Sequence, residues 1–170
     1  MKHLVIVTHP NIEESNVNKS WINELQQHDD KVTIHQLYKE YPDLNIDVAK
    51  EQELLLNHDS IVIQFPLHWF NTPFLLKKWM DEVLTYGWAF GPGGDKLKGK
   101  KFRLSVSTGG TEETYNSFVS LEDLLKSVTV SFQFCGSEVL PSHVFYGAND
   151  NPKLEDVKVN SKQYADLILN

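Results

Sequence analysis

The sequence predicts an α/β fold: a three-layer sandwich whose five-stranded parallel sheet, of order 2-1-3-4-5, carries helices on both faces. Three observations predict it. Short apolar runs alternate with amphipathic helical segments in the order βαβαβαβαβα, which argues a parallel sheet joined by crossover helices. The runs Leu4-Val5-Ile6-Val7 and Ile61-Val62-Ile63 are continuous and β-branched, as in strands covered on both faces. No repeat, low-complexity tract or linker divides the 170 residues, so a single domain over 1–170 is expected. Right-handed crossovers leave few ways to thread such a chain, and the doubly wound order 2-1-3-4-5 is the natural one.

Each element has its own signal. His3 to Thr8 is the first strand, and Pro10 just beyond it forbids further ladder pairing. Asn16 to Gln27 is a helix with Val17, Trp21, Ile22 and Leu25 at helical spacing and Ser15 as its cap. Lys31 to Tyr38 reads as the second strand. Asp47 to Asn57 is a helix capped by Asp47, with glutamates in its first turns that suit the helix dipole. Ser60 to Phe65 is the third strand, and Phe74 to Leu84 the third helix, with Leu75, Leu76, Trp79, Met80 and Val83 as its apolar face. Lys101 to Ser107 is the fourth strand, and a helical pattern follows over about Leu121 to Phe134. Glu138 to Tyr146 is a last strand interrupted by Pro141, and Lys153 to Leu169 is the closing helix.

Composition narrows the function. Hydrophobic residues make up 41% and charged residues 23%, the net charge is −7, and there is one cysteine. An acidic balance disfavours nucleic acid and anionic membrane as partners. The lysines at 77–78 and 96–101 read as solvated faces. Cys135 reads as a small core residue, since one thiol offers neither a disulfide framework nor a metal cluster. His28, His35, His58 and His143 are scattered without ligand spacing, so no metal site is expected. The apolar run after Met-Lys-His is too short for a signal peptide and no run is long enough to span a membrane, so a cytoplasmic location is expected.

In an open doubly wound sheet, ligands bind outside the carboxyl ends of the strands where the strand order reverses. That point selects three loops, those following Thr8, Phe65 and Ser107. The first, His9 to Asn18, leads into a helix N-terminus, a natural anion site. His9, Ser15, Asn16 and Asn18 offer side-chain donors there. It holds neither GxGxxG nor a Walker sequence, and Glu13 and Glu14 oppose a polyphosphate. A capped helix after a polar loop is the alternative reading.

The second loop, Pro66-Leu67-His68-Trp69-Phe70-Asn71-Thr72-Pro73, sets two flat apolar faces between two prolines. Packing of Trp69 and Phe70 on neighbouring helices is the alternative there. The third loop, Ser107-Thr108-Gly109-Gly110-Thr111 with Tyr115, lets backbone amides approach a ligand closely and stabilise negative charge on it. Together they describe a phosphate end, a planar ring and an electron-rich ring edge, the anatomy of flavin mononucleotide. The stretch Thr85 to Lys98 adds Tyr86, Trp88 and Phe90 among four glycines, and loops of that length are usually functional.

These residues resemble the flavodoxin-fold NAD(P)H:quinone oxidoreductases, in particular a short bacterial branch. That branch includes soluble NAD(P)H oxidoreductases and the ancillary flavoproteins of glutathione-gated potassium efflux systems. The resemblance rests on His9-Pro10, Ser15 and Asn18; on Phe65-Pro66-Leu67-His68-Trp69-Phe70-Asn71-Thr72-Pro73 with Trp79; on Tyr86-Gly87-Trp88-Ala89-Phe90-Gly91; and on Thr108-Gly109-Gly110 with Tyr115. It implies a flavodoxin-like fold and a flavin cofactor. His9, Ser15, Val17 and Asn18 would lie at the phosphate and ribityl arm, and Pro66, Leu67, His68, Trp69 and Phe70 at the ring. Ser107, Thr108, Gly109, Gly110 and Tyr115 would lie at the ring's N1/O2 edge, with Tyr115 in the catalytic role. Trp69 and Phe70 would also wall the substrate pocket, completed by Tyr86, Trp88 and Phe90 across a homodimer interface. One departure stands out: where the large animal-type quinone reductases place a histidine downstream of the tyrosine, this chain has Leu121.

The expected reaction is two-electron, ping-pong hydride transfer from NADH or NADPH to a quinone or a similar flat acceptor. The chain is short after the fifth strand, which favours FMN, with FAD as the alternative. Positioning and electrostatics would be the protein's share, with no nucleophilic side chain. Two other functions share the fold and cofactor: a regulatory flavoprotein docked on a membrane potassium efflux protein, and a flavodoxin-type electron carrier. A carrier needs an exposed flavin edge, and the crowded aromatic wall argues against it.

Overall fold

A computed structural model describes residues 1–28 and 30–170. Its strands are β1 (His3–Val7), β2 (Val32–Gln36), β3 (Ser60–Pro66), β4 (Lys101–Ser107), β5 (Glu138–Val139) and β6 (His143–Phe145). Its helices are α1 (Asn16–Leu25), α2 (Leu37–Glu40), α3 (Val48–Leu56), α4 (Phe74–Val83), α5 (Glu112–Asn116), α6 (Leu121–Phe134) and α7 (Leu154–Leu169). The sheet order is β2-β1-β3-β4-β5, with β6 also paired to β4, and every pairing is parallel. The expected order is therefore the observed one.

The continuous apolar runs are buried on both faces, as their composition requires. Leu4, Ile6, Ile61, Ile63 and Phe65 point to one side, against α3, α4 and α6. Val5, Val7 and Val62 point to the other, against α1 and α7. The stacked rings of Phe102 and Phe132, 3.8 Å apart, join β4 to α6.

Two local expectations are corrected, and the expected interruption at Pro141 is observed. The second strand ends at Gln36, and Leu37 begins a helical turn, α2, that buries Leu37 in the core. The last strand is broken at Pro141 into β5 and β6, which pair with β4 at Lys101–Phe102 and Ser105–Ser107 respectively. Proline has no N–H to give the ladder, so pairing resumes only past it. An additional short helix, α5, lies in the third loop, where Thr111 accepts from the amide of Thr114 and nucleates the turn that carries Tyr115.

The glutamates of α3 do not all serve the helix dipole. Glu51 is fully buried. Its Oε1 takes Tyr41 Oη at 2.6 Å and lies 2.7 Å from His35 Nε2, and its Oε2 takes Trp79 Nε1 at 2.7 Å. Burial pushes this carboxyl up, but hydrogen bonds from His35, Tyr41 and Trp79 outweigh burial and hold it below the usual range. Helical periodicity reports apolar faces and carries no signal for a buried acid whose donors come from three other elements.

Candidate functional site

The register sets the site. Val7 pairs with Gln64 and Pro66 with Ser107, so the carboxyl ends of β1, β3 and β4 stand side by side. The loops that leave them line a cavity of about 390 Å³. Its walls include His9, Ser15, Val17, Pro66, Leu67, His68, Ser107, Thr108 and Gly109. A shallower depression of about 530 Å³ is lined by Leu67, His68, Trp69, Phe70 and Tyr115. Leu67 and His68 border both, so the two form one site with a polar and an aromatic half.

The polar half presents donors. Ser15 caps α1 by accepting from the amide of Asn18, which leaves the amides of Asn16 and Val17 facing the N-terminal end of the helix. His9 Nδ1 accepts from the amide of Asn11 at 3.1 Å, so the neutral ring carries its proton on Nε2. Burial, and then the nearby His68, push the His9 imidazole down to about 4. Glu14 is the carboxylate among the cavity's lining residues. This donor set fits one phosphate monoester better than a polyphosphate. Asn18 does not face the cavity: it is buried, and its side chain is bonded to Ser107 and Gln64.

The aromatic half is built on backbone strain. His68 and Asn71 close a tight turn, and its central residues Trp69 and Phe70 have φ of +47° and +60°. Left-handed backbone is costly for bulky side chains and concentrates at ligand sites. Of the amides between the two prolines, Leu67 donates to Ser107 O, while His68, Asn71 and Thr72 are spent within the loop. Those of Trp69 and Phe70 donate to no protein group among the described residues. Trp69 is 94% exposed, so it does not pack on a neighbouring helix; Phe70 meets Tyr115 edge-on, with ring centres 5.9 Å apart.

The Gly-Gly loop is held from a quarter the sequence did not single out. Ala148, Asn149 and Gly147 donate their amides to Thr108 O, Gly109 O and Gly110 O. That clamp spends the loop's carbonyls and leaves the amides of Gly109 and Gly110 without a protein acceptor among the described residues. A Cβ on Gly109 would meet Asn149 Nδ2 at 2.6 Å. Ala148 and Asn149 also line the cavity, and the only hint of them in the sequence is the turn after the last strand. Burial raises the Tyr115 phenol above its ordinary range, so it stays protonated.

Leu121 is buried at the start of α6, and the second ring beside Tyr115 is Tyr146, at 6.3 Å. Tyr86, Trp88 and Phe90 line neither depression of this chain. Tyr86 stacks edge-on against Phe90, and Phe90 in turn meets the exposed Phe134.

The chain belongs to the family described as having a flavodoxin-like fold, whose sequence model matches residues 1–168. General stress protein 14 of Bacillus subtilis (strain 168) is 49% identical over 99% of this chain and 97% of its own length. The uncharacterized NAD(P)H oxidoreductase YrkL of the same organism is 46% identical, over 99% and 98%. The glutathione-regulated potassium-efflux system ancillary protein KefF of Enterobacter sp. (strain 638) is 36% identical, over 98% and 94%. Among solved structures, general stress protein 14 of Treponema denticola in complex with FMN superimposes with a TM-score of 0.93. It is 40% identical and covers 99% of this chain and 98% of its own. An NADPH-quinone reductase from P. pentosaceus gives a TM-score of 0.90 at 27% identity, over 100% and 99%.

Proposed function

We propose that this protein is an FMN-dependent NAD(P)H oxidoreductase that reduces quinones or similar flat acceptors in two-electron steps. The observation that carries this reading is the joined site itself: a donor-lined cavity at a helix N-terminus opening onto a strained aromatic shelf, with unspent amides along one edge. An FMN complex of a relative, and relatives described as NAD(P)H oxidoreductase and NADPH-quinone reductase, support it. FMN would supply the redox chemistry, taking two electrons from a nicotinamide and passing them to the acceptor.

The chain's own residues bind and orient. His9 Nε2 and the amides of Asn16 and Val17 hold the phosphate. Leu67, Trp69 and Phe70 wall the ring and the nicotinamide or acceptor stacked on it. The amides of Gly109 and Gly110 and the Tyr115 phenol steady negative charge on the ring edge. Two substrates alternate at one wall, hence the ping-pong order. A homodimer is part of this reading: Tyr86, Trp88 and Phe90 stand away from their own chain's cavity and would close the partner's. Residues 1–170 act as one flavin-binding domain in the cytoplasm; no helix among the described residues is long and apolar enough to cross a membrane.

The test is an anaerobic titration. The purified protein should show flavin absorption bands, and NADH or NADPH should bleach them. A bound flavin that neither nicotinamide bleaches would sink the enzyme reading. A second reading is favoured by the likeness to KefF over nearly the whole chain: a regulatory flavoprotein docked on a membrane potassium efflux protein. Co-purification with such a transporter would support it, and its absence alongside rapid quinone turnover would remove it.

A further inference from the structure

Behind the cavity wall lies a line of polar side chains with no role so far. Gln64 is fully buried in β3, Asn18 is buried in the first turn of α1, and Tyr164 is fully buried on α7. Gln64 Nε2 donates to the main-chain O of Asn18 at 3.1 Å and to Asn18 Oδ1 at 3.2 Å. Tyr164 Oη lies 3.0 Å from Gln64 Oε1. Asn18 Nδ2 lies 2.8 Å from Ser107 Oγ.

The Asn18 main-chain oxygen sets the direction of the line, and Tyr164 holds Gln64 in that orientation from its other end. A main-chain carbonyl only accepts, so the end of Gln64 that faces Asn18 O is its NH2 group. The Gln64 oxygen then faces Tyr164, whose hydroxyl has to donate. The same NH2 group also meets Asn18 on its oxygen side, so Asn18 turns its own NH2 toward Ser107. Ser107 Oγ therefore accepts, and its proton is spent on no other protein group among the described residues. Ser107 lines the cavity.

We infer that Tyr164, Gln64 and Asn18 form a one-directional hydrogen-bond relay that commits the Ser107 hydroxyl to donate to an oxygen of the cofactor bound in the cavity. Gln64 and Tyr164 are positioning residues in this scheme, acting on the ligand through Ser107. The inference rests on the flavin reading above. It also explains why a glutamine stands in a central strand between Ile63 and Phe65: an apolar residue there would free the Asn18 amide to flip. The reversed amide would accept from Ser107 and remove the donor from the cavity.

The test is a double-mutant cycle on the FMN dissociation constant of the full-length, deflavinated protein. Ser107→Ala should weaken FMN about fivefold, the value of one hydrogen bond. Ser107→Thr, which keeps the hydroxyl, should stay near wild type. Tyr164→Phe removes one oxygen and keeps the ring packed between Trp21 and His143, so it preserves the fold, which the melting temperature checks. It should weaken FMN about threefold alone, and should add no loss in the Ser107→Ala background. Gln64→Met should behave like Tyr164→Phe. Losses that multiply in the double variant, or no loss from Tyr164→Phe beside a clear loss from Ser107→Ala, would overturn the relay and leave the flavin reading standing. A wild-type protein that does not bind FMN would overturn both.

Discussion

His68 and Asn71 exchange two main-chain hydrogen bonds, His68 N to Asn71 O at 2.8 Å and Asn71 N to His68 O at 2.9 Å. The two residues between them, Trp69 and Phe70, are therefore held with positive φ, the geometry of a type I′ turn, which favours Asn and Gly. An exposed tryptophan at such a position gains nothing from burial and bears strain. Trp69→Asn should thus stabilise the flavin-free protein by about 0.5–1 kcal/mol through relief of that strain. The same change should lower kcat/KM for NAD(P)H by about tenfold, since in the proposed mechanism it removes the wall on which the nicotinamide stacks. Chemical denaturation and steady-state kinetics read the two effects, and a variant that loses stability would refute the strain argument.

The aromatic loop depends on Gly94. A Cβ there would lie 2.1 Å from Phe90 O and 2.3 Å from Phe90 C, both backbone atoms that cannot swing aside. Gly94→Ala should cost about 3 kcal/mol, the upper end of overpacking. It should also perturb the fluorescence of Trp88, whose carbonyl accepts from the amide of Lys96 in the same loop. Gly99 has open space around its Cβ position but φ of +75°. Gly99→Ala should therefore pay only the backbone cost of about 1 kcal/mol, and equal losses from both variants would contradict this account.

The His9 imidazole gives the flavin-free protein a defined acid response. Its ordinary value of 6.5 is lowered to about 4 by burial and by His68. Between those values the unfolded chain binds the proton and the folded chain does not, so stability falls as pH drops through that window. Above about 6.5 both states are neutral at this site and it contributes no slope. His9→Asn should flatten the decline in thermal melts recorded across the window, and an unchanged slope would show that another group sets it.

Glu51 should dominate the stability of the opposite face. Glu51→Ala strands the His35, Tyr41 and Trp79 donors in the core and should cost about 3–5 kcal/mol, as removal of one partner from a buried pair does. Its carboxyl is depressed in the fold, so its contribution is present above the ordinary value of 4.5 and is lost as pH falls through the lower folded value. Urea denaturation of the variant near neutral pH and in acid measures both, and a loss under about 1 kcal/mol would mean that the cluster carries no net stabilisation.

Much of the site is legible because its carriers are local. Pro66 to Pro73 can be identified from composition, and the Gly109-Gly110 pair and the cap at Ser15 from single residues. What local patterns miss is the partner of each polar group. Asn18 reads as a ligand donor because it sits one turn into a helix beside the loop, yet its side chain turns inward to Ser107, 89 positions away. Asn149 carries no motif, yet it stands against Gly109 because β6 pairs with β4 past Pro141. Sequence spacing cannot express either contact, since each depends on where two crossovers return the chain.

The sequence by itself determined the parallel doubly wound architecture, the strand order and the three loops that meet at its reversal point. Hydrophobic runs buried on both faces and helical periodicity are properties of neighbouring residues, and crossover handedness then leaves few threadings. The tertiary structure alone decided which donors remain unspent in the cavity, the left-handed turn at Trp69 and Phe70, the burial of Glu51, and the line from Tyr164 to Ser107. Buried polar groups must be satisfied by whatever the fold brings beside them, and that neighbour is set by packing across the sheet.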